Sequence, residues 1–218
     1  MLADDDVRRA MGRIADALPD VEAPRIKRGR DPFRAVVSCM LSAQSLDRNT
    51  AAASAALFAL ADTPDGILGL TDEEITAAIR PAGLYNVKCR NLRRMCRALI
   101  DDHDRVVPRT REGLMTLPGV GRKCADIVQH FTFGEAVVAV DTHVHRVCNR
   151  IGLAEGNTEA RTATSLEARL PGQFRMRGHV LLLAFGKRVC RARAPRCRDC
   201  PVADLCEALA AGRVKPAG

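Results

Sequence analysis

The sequence is poor in aromatic residues, with no tryptophan, one tyrosine and six phenylalanines in 218 residues. Proteins that bind single-stranded nucleic acid usually stack bases on aromatic side chains, so this composition argues against that mode of recognition. Long apolar runs are missing too, since runs such as residues 180–185 are far too short to cross a bilayer. The sequence also contains no internal repeat, low-complexity tract or linker rich in proline and glycine.

The chain lacks the features of a secreted protein. It opens Met-Leu-Ala-Asp-Asp-Asp, without the basic start and apolar stretch of a secretion signal. Five of its nine cysteines stand singly, without the spacing of a disulfide framework. We therefore expect a cytoplasmic protein with reduced thiols and no membrane partner. A net charge of +8 and a pI near 9.3 favour an anionic partner, with nucleic acid as the leading candidate.

The strongest local pattern is a run of four cysteines spaced Cys-x6-Cys-x2-Cys-x5-Cys. Four thiolates within seventeen residues suit the four irons of one cubane cluster, whereas structural zinc sites more often pair two Cys-x2-Cys knuckles. The same run could instead hold zinc in a distorted knuckle or form two disulfides. Arginines between the cysteines offset negative charge and, where they point outward, suit phosphates. The cysteines are Cys190, Cys197, Cys200 and Cys206, and the arginines are Arg191, Arg193, Arg196 and Arg198.

The rest of the chain is patterned as helices with short connectors. Thr71 and Glu74 form a capping box, and Pro81 ends the helix that follows. Asp47 is expected to cap the alanine-rich stretch after it. Residues 136–140 are rich in β-branched valine but have no evident partner strand, so we expect a buried connector there.

One predicted helix carries an apolar face together with a basic stripe. Its apolar positions, Cys89, Leu92, Cys96 and Leu99, recur at helical spacing. The other faces carry five cations and no acid, which is typical either of a solvated face or of a phosphate-contacting surface. These cations are Lys88, Arg90, Arg93, Arg94 and Arg97.

A glycine-rich turn, Leu117-Pro-Gly-Val-Gly-Arg-Lys123, joins two short predicted helices. Gly119 and Gly121 are expected to take left-handed backbone angles and to leave their amides bare. A helix start of this kind binds anions, and the two helices together form a hairpin that grips a DNA phosphate without reading sequence. Lys123 lies just inside the second helix, and Asp141 follows in the segment Val140-Asp-Thr-His143. A lysine and an aspartate close to a bound DNA backbone suggest that the protein catalyses a reaction on DNA.

With these pieces, the chain resembles the endonuclease III family of DNA glycosylase/AP lyases over nearly its whole length. The resemblance rests on the hairpin with its lysine, the segment around Asp141 and the intact cysteine spacing. Two further segments match, Ser42-Ala-Gln44 and Gly83-Leu-Tyr-Asn86.

The resemblance implies an all-α, two-lobed helix-hairpin-helix DNA glycosylase fold. Residues 25–135 would form a six-helix barrel domain, and residues 1–24 and 136–218 an iron–sulfur cluster domain holding a [4Fe-4S] cluster. DNA would lie over the cleft between the lobes, with Lys123 facing Asp141. A nucleoid-associated monomer that binds double-stranded DNA with damaged bases or abasic sites is expected.

The resemblance also implies the chemistry, which is base-excision repair by a bifunctional N-glycosylase that removes oxidised pyrimidines and then cleaves abasic sites by β-elimination. Lys123 would attack the sugar C1′, for which its amine must be neutral. Asp141 would accept a proton or stabilise positive charge on the sugar. Gln44 and Leu84 would fill the vacated stack, although Leu84 could also be a core residue. Further DNA contacts would come from Gly119, Gly121, Arg122, His143, Arg191, Arg193 and Arg196.

Some positions depart from the family pattern. Cys124 and Asp126 stand where related hairpins often carry Thr and Asn, and His145 stands at a position expected to be apolar. His143 either orients Asp141, binds phosphate or is structural. A monofunctional adenine-mismatch glycosylase would need a catalytic glutamate where Cys39 stands. Two further functions stay open, those of a pyrimidine-dimer glycosylase and of a non-catalytic iron–sulfur DNA-binding protein.

Overall fold

The computed structural model of the chain describes residues 1–23 and 31–215. These residues form α-helices and short 3-10 or π turns, and none of them lies in a strand, which confirms the all-α prediction. None of the helices in these two ranges has the length and apolar character that a membrane span needs. In chain order the α-helices are α1 (Asp4–Asp16), α2 (Pro32–Ser42), α3 (Asp47–Leu60), α4 (Pro64–Gly69), α5 (Asp72–Ile79), α6 (Tyr85–His103), α7 (Arg111–Thr116), α8 (Arg122–Val128), α9 (Thr142–Ile151), α10 (Glu159–Arg169), α11 (Arg175–Arg188) and α12 (Glu207–Ala210).

The described residues divide into two compact units. The central unit lies within Ile26–Gly134, and the terminal unit combines Met1–Arg25 with Glu135–Gly218. The predicted domain boundary near residue 25 itself falls outside the described residues. Each unit has its own apolar core, as expected of segments that each bury one face of several helices.

The core of the central unit is built on α6. Cys89, Leu92, Cys96 and Leu99 are buried along one face of this helix, as their spacing predicts, and Met95 joins them. Burial raises the pKa of the Cys96 thiol to about 12, so this cysteine behaves as a small apolar core residue. Helices α2, α3 and α5 supply the other large apolar side chains of this core, which include Leu41, Leu57, Ile75 and Ile79.

The two predicted helix caps of the central unit have different outcomes, because the cap of α5 is present and that of α3 is not. The capping box at α5 is present: Glu74 N–H donates to Thr71 Oγ1 at 3.2 Å, and Thr71 N–H donates to Glu74 Oε2 at 2.8 Å. The prediction that Asp47 caps α3 is wrong. Leu46 occupies the capping position without a side-chain hydrogen bond, and Asp47 is the first helical residue, where its charge still suits the helix dipole.

The basic stripe of α6 is smaller than the sequence suggests. The Lys88 side chain is buried and donates to two main-chain carbonyl oxygens. Arg93 is half-buried, pairs with Asp72 and donates to the carbonyl oxygens of Leu68 and Leu70. Both cations therefore hold the central unit together. The exposed remainder of the stripe is Arg90, Arg94 and Arg97.

The predicted helical hairpin is formed by α7 and α8, joined by residues 117–121. Gly119 has a left-handed φ of +84°, and a Cβ atom there would come within 3.1 Å of both Asn91 and Met40, so only glycine fits. Gly121 is different, because its φ is −92° and the expectation of a left-handed angle there is wrong. Gly121 instead occupies the capping position of α8, and the start of this helix is bare of any side chain that would cap it.

The core of the terminal unit is built on α9, which packs against α10, α11 and α12. Val144, Val147, Cys148 and Ile151 form its buried face. The connector predicted to be buried, residues 136–140, is buried only at residues 138–140, whereas Ala136 is exposed. The His179 ring lies 2.8 Å through Nδ1 from the Ala139 carbonyl oxygen. The start of α9 is thereby held firmly within this unit.

Candidate functional site

Lys123 is the second residue of α8 and is exposed. Among the described residues, no hydrogen bond or ion pair reaches its amine. A lysine without a carboxylate partner is available to bind a phosphate or to act as a nucleophile. The helix places Ile127 one turn after Lys123 on the same face.

A pocket of about 330 Å³ lies along this part of the central unit. Ile127 is part of its wall, so the pocket begins one helical turn from Lys123. The wall combines apolar side chains with hydroxyl and thiol groups, a mixture that suits a planar polar ring. Its lining residues are Ala35, Ser38, Cys39, Ser42, Ile127, Val128, Phe131 and Thr132.

Asp126, one of the departures from the family pattern, is fully buried and faces arginines. Its Oδ1 lies 2.6 Å from Nε of Arg111, and its Oδ2 lies 3.7 Å from Nε of Arg122. The carboxylate thus joins α7 to α8 and helps to set the angle of the hairpin. Arg122, predicted to contact DNA, is half-buried beside this carboxylate.

Cys124 is the second departure, and its thiol is largely buried. A side-chain hydrogen bond with Cys39 and burial together raise the pKa of Cys124 far above its usual range. The Cys39 sulfur also lies 3.8 Å from the Cys124 carbonyl oxygen, which links α2 to α8. Cys124 therefore remains a neutral packing residue next to Lys123.

Asp141 lies in the terminal unit and caps α9. Its Oδ1 accepts hydrogen bonds from the main-chain N–H groups of His143 at 2.9 Å and Val144 at 2.8 Å. No hydrogen bond from any described residue reaches its Oδ2. One carboxylate oxygen thus caps the helix and fixes the orientation of the group.

The two histidines after Asp141 have structural neighbours. The His143 ring lies 3.2 Å through Nδ1 from Nη2 of Arg146, and only its main-chain N–H contacts the Asp141 carboxylate. His145, at the position expected to be apolar, lies 2.8 Å through Nδ1 from Oγ1 of Thr162 and close to Asn149. These polar neighbours explain how His145 is accommodated beside a core helix.

The four cysteines predicted to bind metal lie together in the terminal unit. They line one largely apolar pocket, against Phe185 and Leu209. Burial, and then the neighbouring thiols of Cys190 and Cys206, raise the pKa of Cys197. Burial and the same neighbours raise the pKa of Cys200 to about 11. Four thiolates crowded in an apolar pocket require a compensating cation, so this donor set fits a metal centre.

In the described part of the chain, no group of three or more His, Cys, Asp or Glu side chains has the arrangement of a metal site.

Two arginines of α9 lie beside Cys190, and Arg150 also lines this pocket. Arg150 Nη1 lies 3.7 Å from the Cys190 sulfur and 2.7 Å from the Arg191 carbonyl oxygen. Arg146 donates through Nε to the Cys190 carbonyl oxygen at 3.1 Å. Both arginines lie on α9, four residues apart and therefore on one face of the helix. This spacing is the sequence feature that could have identified them. The arginines between the cysteines, Arg191, Arg193, Arg196 and Arg198, are all exposed.

Gln44 and Leu84, the predicted wedge residues, share an unusual backbone conformation in the central unit. Their φ angles are +52° and +49°, which non-glycine residues seldom adopt. Both side chains are exposed, and Leu84 retains 54% of its accessible surface, so it is not a core residue. Such strained, exposed positions are typical of functional turns.

Comparison with known proteins identifies the fold. Residues 37–171 match the family described as "HhH-GPD superfamily base excision DNA repair protein". The chain is 40% identical over 176 residues to the endonuclease III proteins of Haemophilus influenzae and Escherichia coli K12, covering 81% of this chain and 83% of each relative.

Solved structures agree with the sequence comparisons. A "Trapped Endonuclease III-DNA Covalent Intermediate" superposes with a TM-score of 0.86 and 34% identity, covering 99% of this chain and all of that chain. A thermostable thymine-DNA glycosylase has the same fold, with a TM-score of 0.81 at 24% identity. The chain therefore belongs to the HhH-GPD superfamily of base excision DNA repair proteins and, within it, to the endonuclease III family of DNA glycosylase/AP lyases, which act on oxidised pyrimidines.

Proposed function

We propose that Lys123 is the nucleophile with which this enzyme excises the damaged base and cleaves the strand. The observation that carries this proposal is an exposed amine, unpaired among the described residues, at the start of the second hairpin helix. The bare start of α8 and the turn at Gly119 and Gly121 bind a neighbouring DNA phosphate, so the backbone is held next to the amine. A relative of the same fold forms a covalent intermediate with DNA, which supports a nucleophilic route.

The reaction begins when the neutral amine of Lys123 attacks C1′ of the damaged nucleotide. A bond forms between C1′ and the lysine nitrogen, and the base departs with the electrons of the glycosidic bond and takes up a proton. Opening of the sugar gives a Schiff base, which acidifies C2′. Loss of a C2′ proton then expels the 3′ phosphate and cuts the strand by β-elimination.

Asp141 is proposed to help the base to leave. Its Oδ2 stabilises positive charge on the sugar or accepts the proton that the attacking amine loses. Its Oδ1 remains engaged by the two N–H groups at the start of α9, so the carboxylate keeps one orientation throughout.

The everted base is proposed to enter the pocket of about 330 Å³ that borders Ile127. Lys123 lies one turn away on the same face of α8, so a base seated there has its C1′ near the amine. Gln44 and Leu84 fill the space that the base vacates, which offsets part of the unstacking cost of a few kcal/mol. Damaged bases stack poorly and are the most easily everted.

Cys190, Cys197, Cys200 and Cys206 are proposed to hold a [4Fe-4S] cluster. When bound, the cluster would supply a cross-link that orders the loop between Cys190 and Cys206. Arg191, Arg193 and Arg196 on that loop are exposed, so they are free to contact phosphates, and His143 and Arg122 add contacts on their own units. The partner is then double-stranded DNA with a damaged base or abasic site, bound by a monomer at the nucleoid.

The deciding experiment is borohydride trapping on duplexes that each carry one defined lesion. Borohydride reduces a Schiff base to a stable amine, so an oxidised pyrimidine should give a covalent protein–DNA complex, and an undamaged duplex should give none. Mass spectrometry of the digested complex should find the adduct on Lys123. An adduct on another amine would overturn the assignment.

A further inference from the structure

Lys88 is a buried lysine of the central unit, with 4% of its surface exposed. Its Nζ donates to the carbonyl oxygen of Leu41 at 2.8 Å and to that of Ala82 at 2.9 Å. Among the described residues, no carboxylate pairs with it. Burial lowers the pKa of Lys88, as expected where an ammonium loses water without gaining a counter-charge. A buried amine without a counter-charge is costly, and its two hydrogen bonds to carbonyl groups offset part of that cost.

The two carbonyl groups stand at the bases of the two wedge turns. Leu41 belongs to the last turn of α2, where Ser45 N–H donates to the Ser42 carbonyl oxygen and leaves that of Leu41 without its usual helical partner. Gln44 follows three residues later. On the other side, Ala82 ends a 3-10 turn, and Leu84 follows two residues later.

Each turn contains a non-glycine residue with a positive φ angle, Gln44 in one and Leu84 in the other. A non-glycine residue in the left-handed region is strained and persists only where its surroundings determine it. For Leu84, the Lys88 main-chain N–H also donates to the Leu84 carbonyl oxygen at 3.0 Å. Lys88 therefore holds the Leu84 turn from its side chain and from its main chain.

We propose that Lys88 is a positioning residue whose ammonium ties the Gln44 turn to the Leu84 turn, so that both side chains enter the duplex at one set separation. An ammonium suits this task because it has three donors and no acceptor, and its charge complements the negative end of α2. The inference rests on the proposed function, in which Gln44 and Leu84 occupy the stack that the damaged base leaves.

The test is Lys88→Met, which retains the length of the side chain and suits a buried site but cannot donate. Single-turnover excision of an oxidised pyrimidine from duplex DNA should fall by about tenfold to a hundredfold, since small misplacements cost this much. Cleavage at an abasic site in a single strand, where no stack has to be filled, should change by less than about threefold. A 2-aminopurine next to the lesion should report slower base eversion.

A matched control is Arg93→Met on the same helix. Arg93 also ties carbonyl groups, those of Leu68 and Leu70, but these lie away from the wedge turns. This variant should lose thermal stability and leave the ratio of duplex excision to single-strand cleavage at the wild-type value. Lys88→Gln retains N–H donors, so it should fold even if Lys88→Met does not. Its ratio of duplex excision to single-strand cleavage should lie between those of the wild type and Lys88→Met.

A double-mutant cycle with Leu84→Ala separates positioning from general damage. If Lys88 acts through the wedge, Lys88→Met should cost much less in the Leu84→Ala background than in the wild type. Additive losses, or equal losses of duplex excision and single-strand cleavage, would overturn the inference while the proposed function stands. A wild-type enzyme that excises no oxidised pyrimidine would overturn the proposed function and this inference with it.

Discussion

Asp141 combines a structural task and a proposed chemical task, and two substitutions separate them. Asp141→Asn retains an oxygen at the Oδ1 position, so the N–H groups of His143 and Val144 still have their acceptor. Asn is about as good an N-cap as Asp. The lost charge removes an interaction with the helix dipole worth about 0.3–1 kcal/mol. Asp141→Ala removes the cap itself, which costs about 1 kcal/mol more.

These magnitudes set the expected thermal shifts. For a chain of this size, 1 kcal/mol corresponds to a Tm change of about 2–4 °C. Asp141→Asn should therefore melt within a few degrees of the wild type, and Asp141→Ala should melt lower than Asp141→Asn. Both variants lack the carboxylate that is proposed to help the base to leave, so excision of an oxidised pyrimidine should fall in both by about 10²–10⁴-fold.

The assays are circular dichroism melting, single-turnover excision and cleavage of a preformed abasic site. Cleavage should persist in both variants, because the Lys123 amine is intact and no base has to leave. If the excision rates of the two variants fall in proportion to their Tm values, and Asp141→Asn is nearly as active as the wild type, then Asp141 only caps α9. Loss of cleavage together with excision would mean that the carboxylate also acts after the base has left.

Three further predictions test the remaining parts of the site. Lys123→Gln should still bind an abasic duplex in a gel-shift assay but should yield no borohydride-trapped complex, and trapping at the wild-type rate would exclude Lys123 as nucleophile. The purified protein should contain iron and absorb broadly at about 400 nm, and zinc without iron would refute the cluster. Cys197→Ser should then reduce folding yield or DNA affinity more than the chemical step. Arg193→Ala and Arg196→Ala should each lower the slope of log affinity against log salt by about 0.9, and an unchanged slope would remove that arginine from the DNA interface.

Local rules account for the parts of the fold that the sequence predicts. The capping box at Thr71 and Glu74 involves residues three apart in the chain, and the buried face of α6 follows from helical spacing alone. The hairpin is equally local, because Gly119 is the residue that its left-handed turn demands. The cysteine run brings its four sulfurs to one pocket through short intervals of chain. Such features depend on contacts within about one or two helical turns.

The roles of long cations were decided only by tertiary structure. In the sequence, Lys88 and Arg93 look like members of a solvated stripe, but both turn inward to carbonyl groups of other segments. Arg150, which drew no attention in the sequence, lies beside the Cys190 sulfur. A lysine or arginine side chain is long enough to reach solvent or a distant carbonyl from the same helix position, so periodicity alone does not indicate which. The choice depends on which carbonyl groups the fold leaves without a helical partner, and those appear only once the helices have packed.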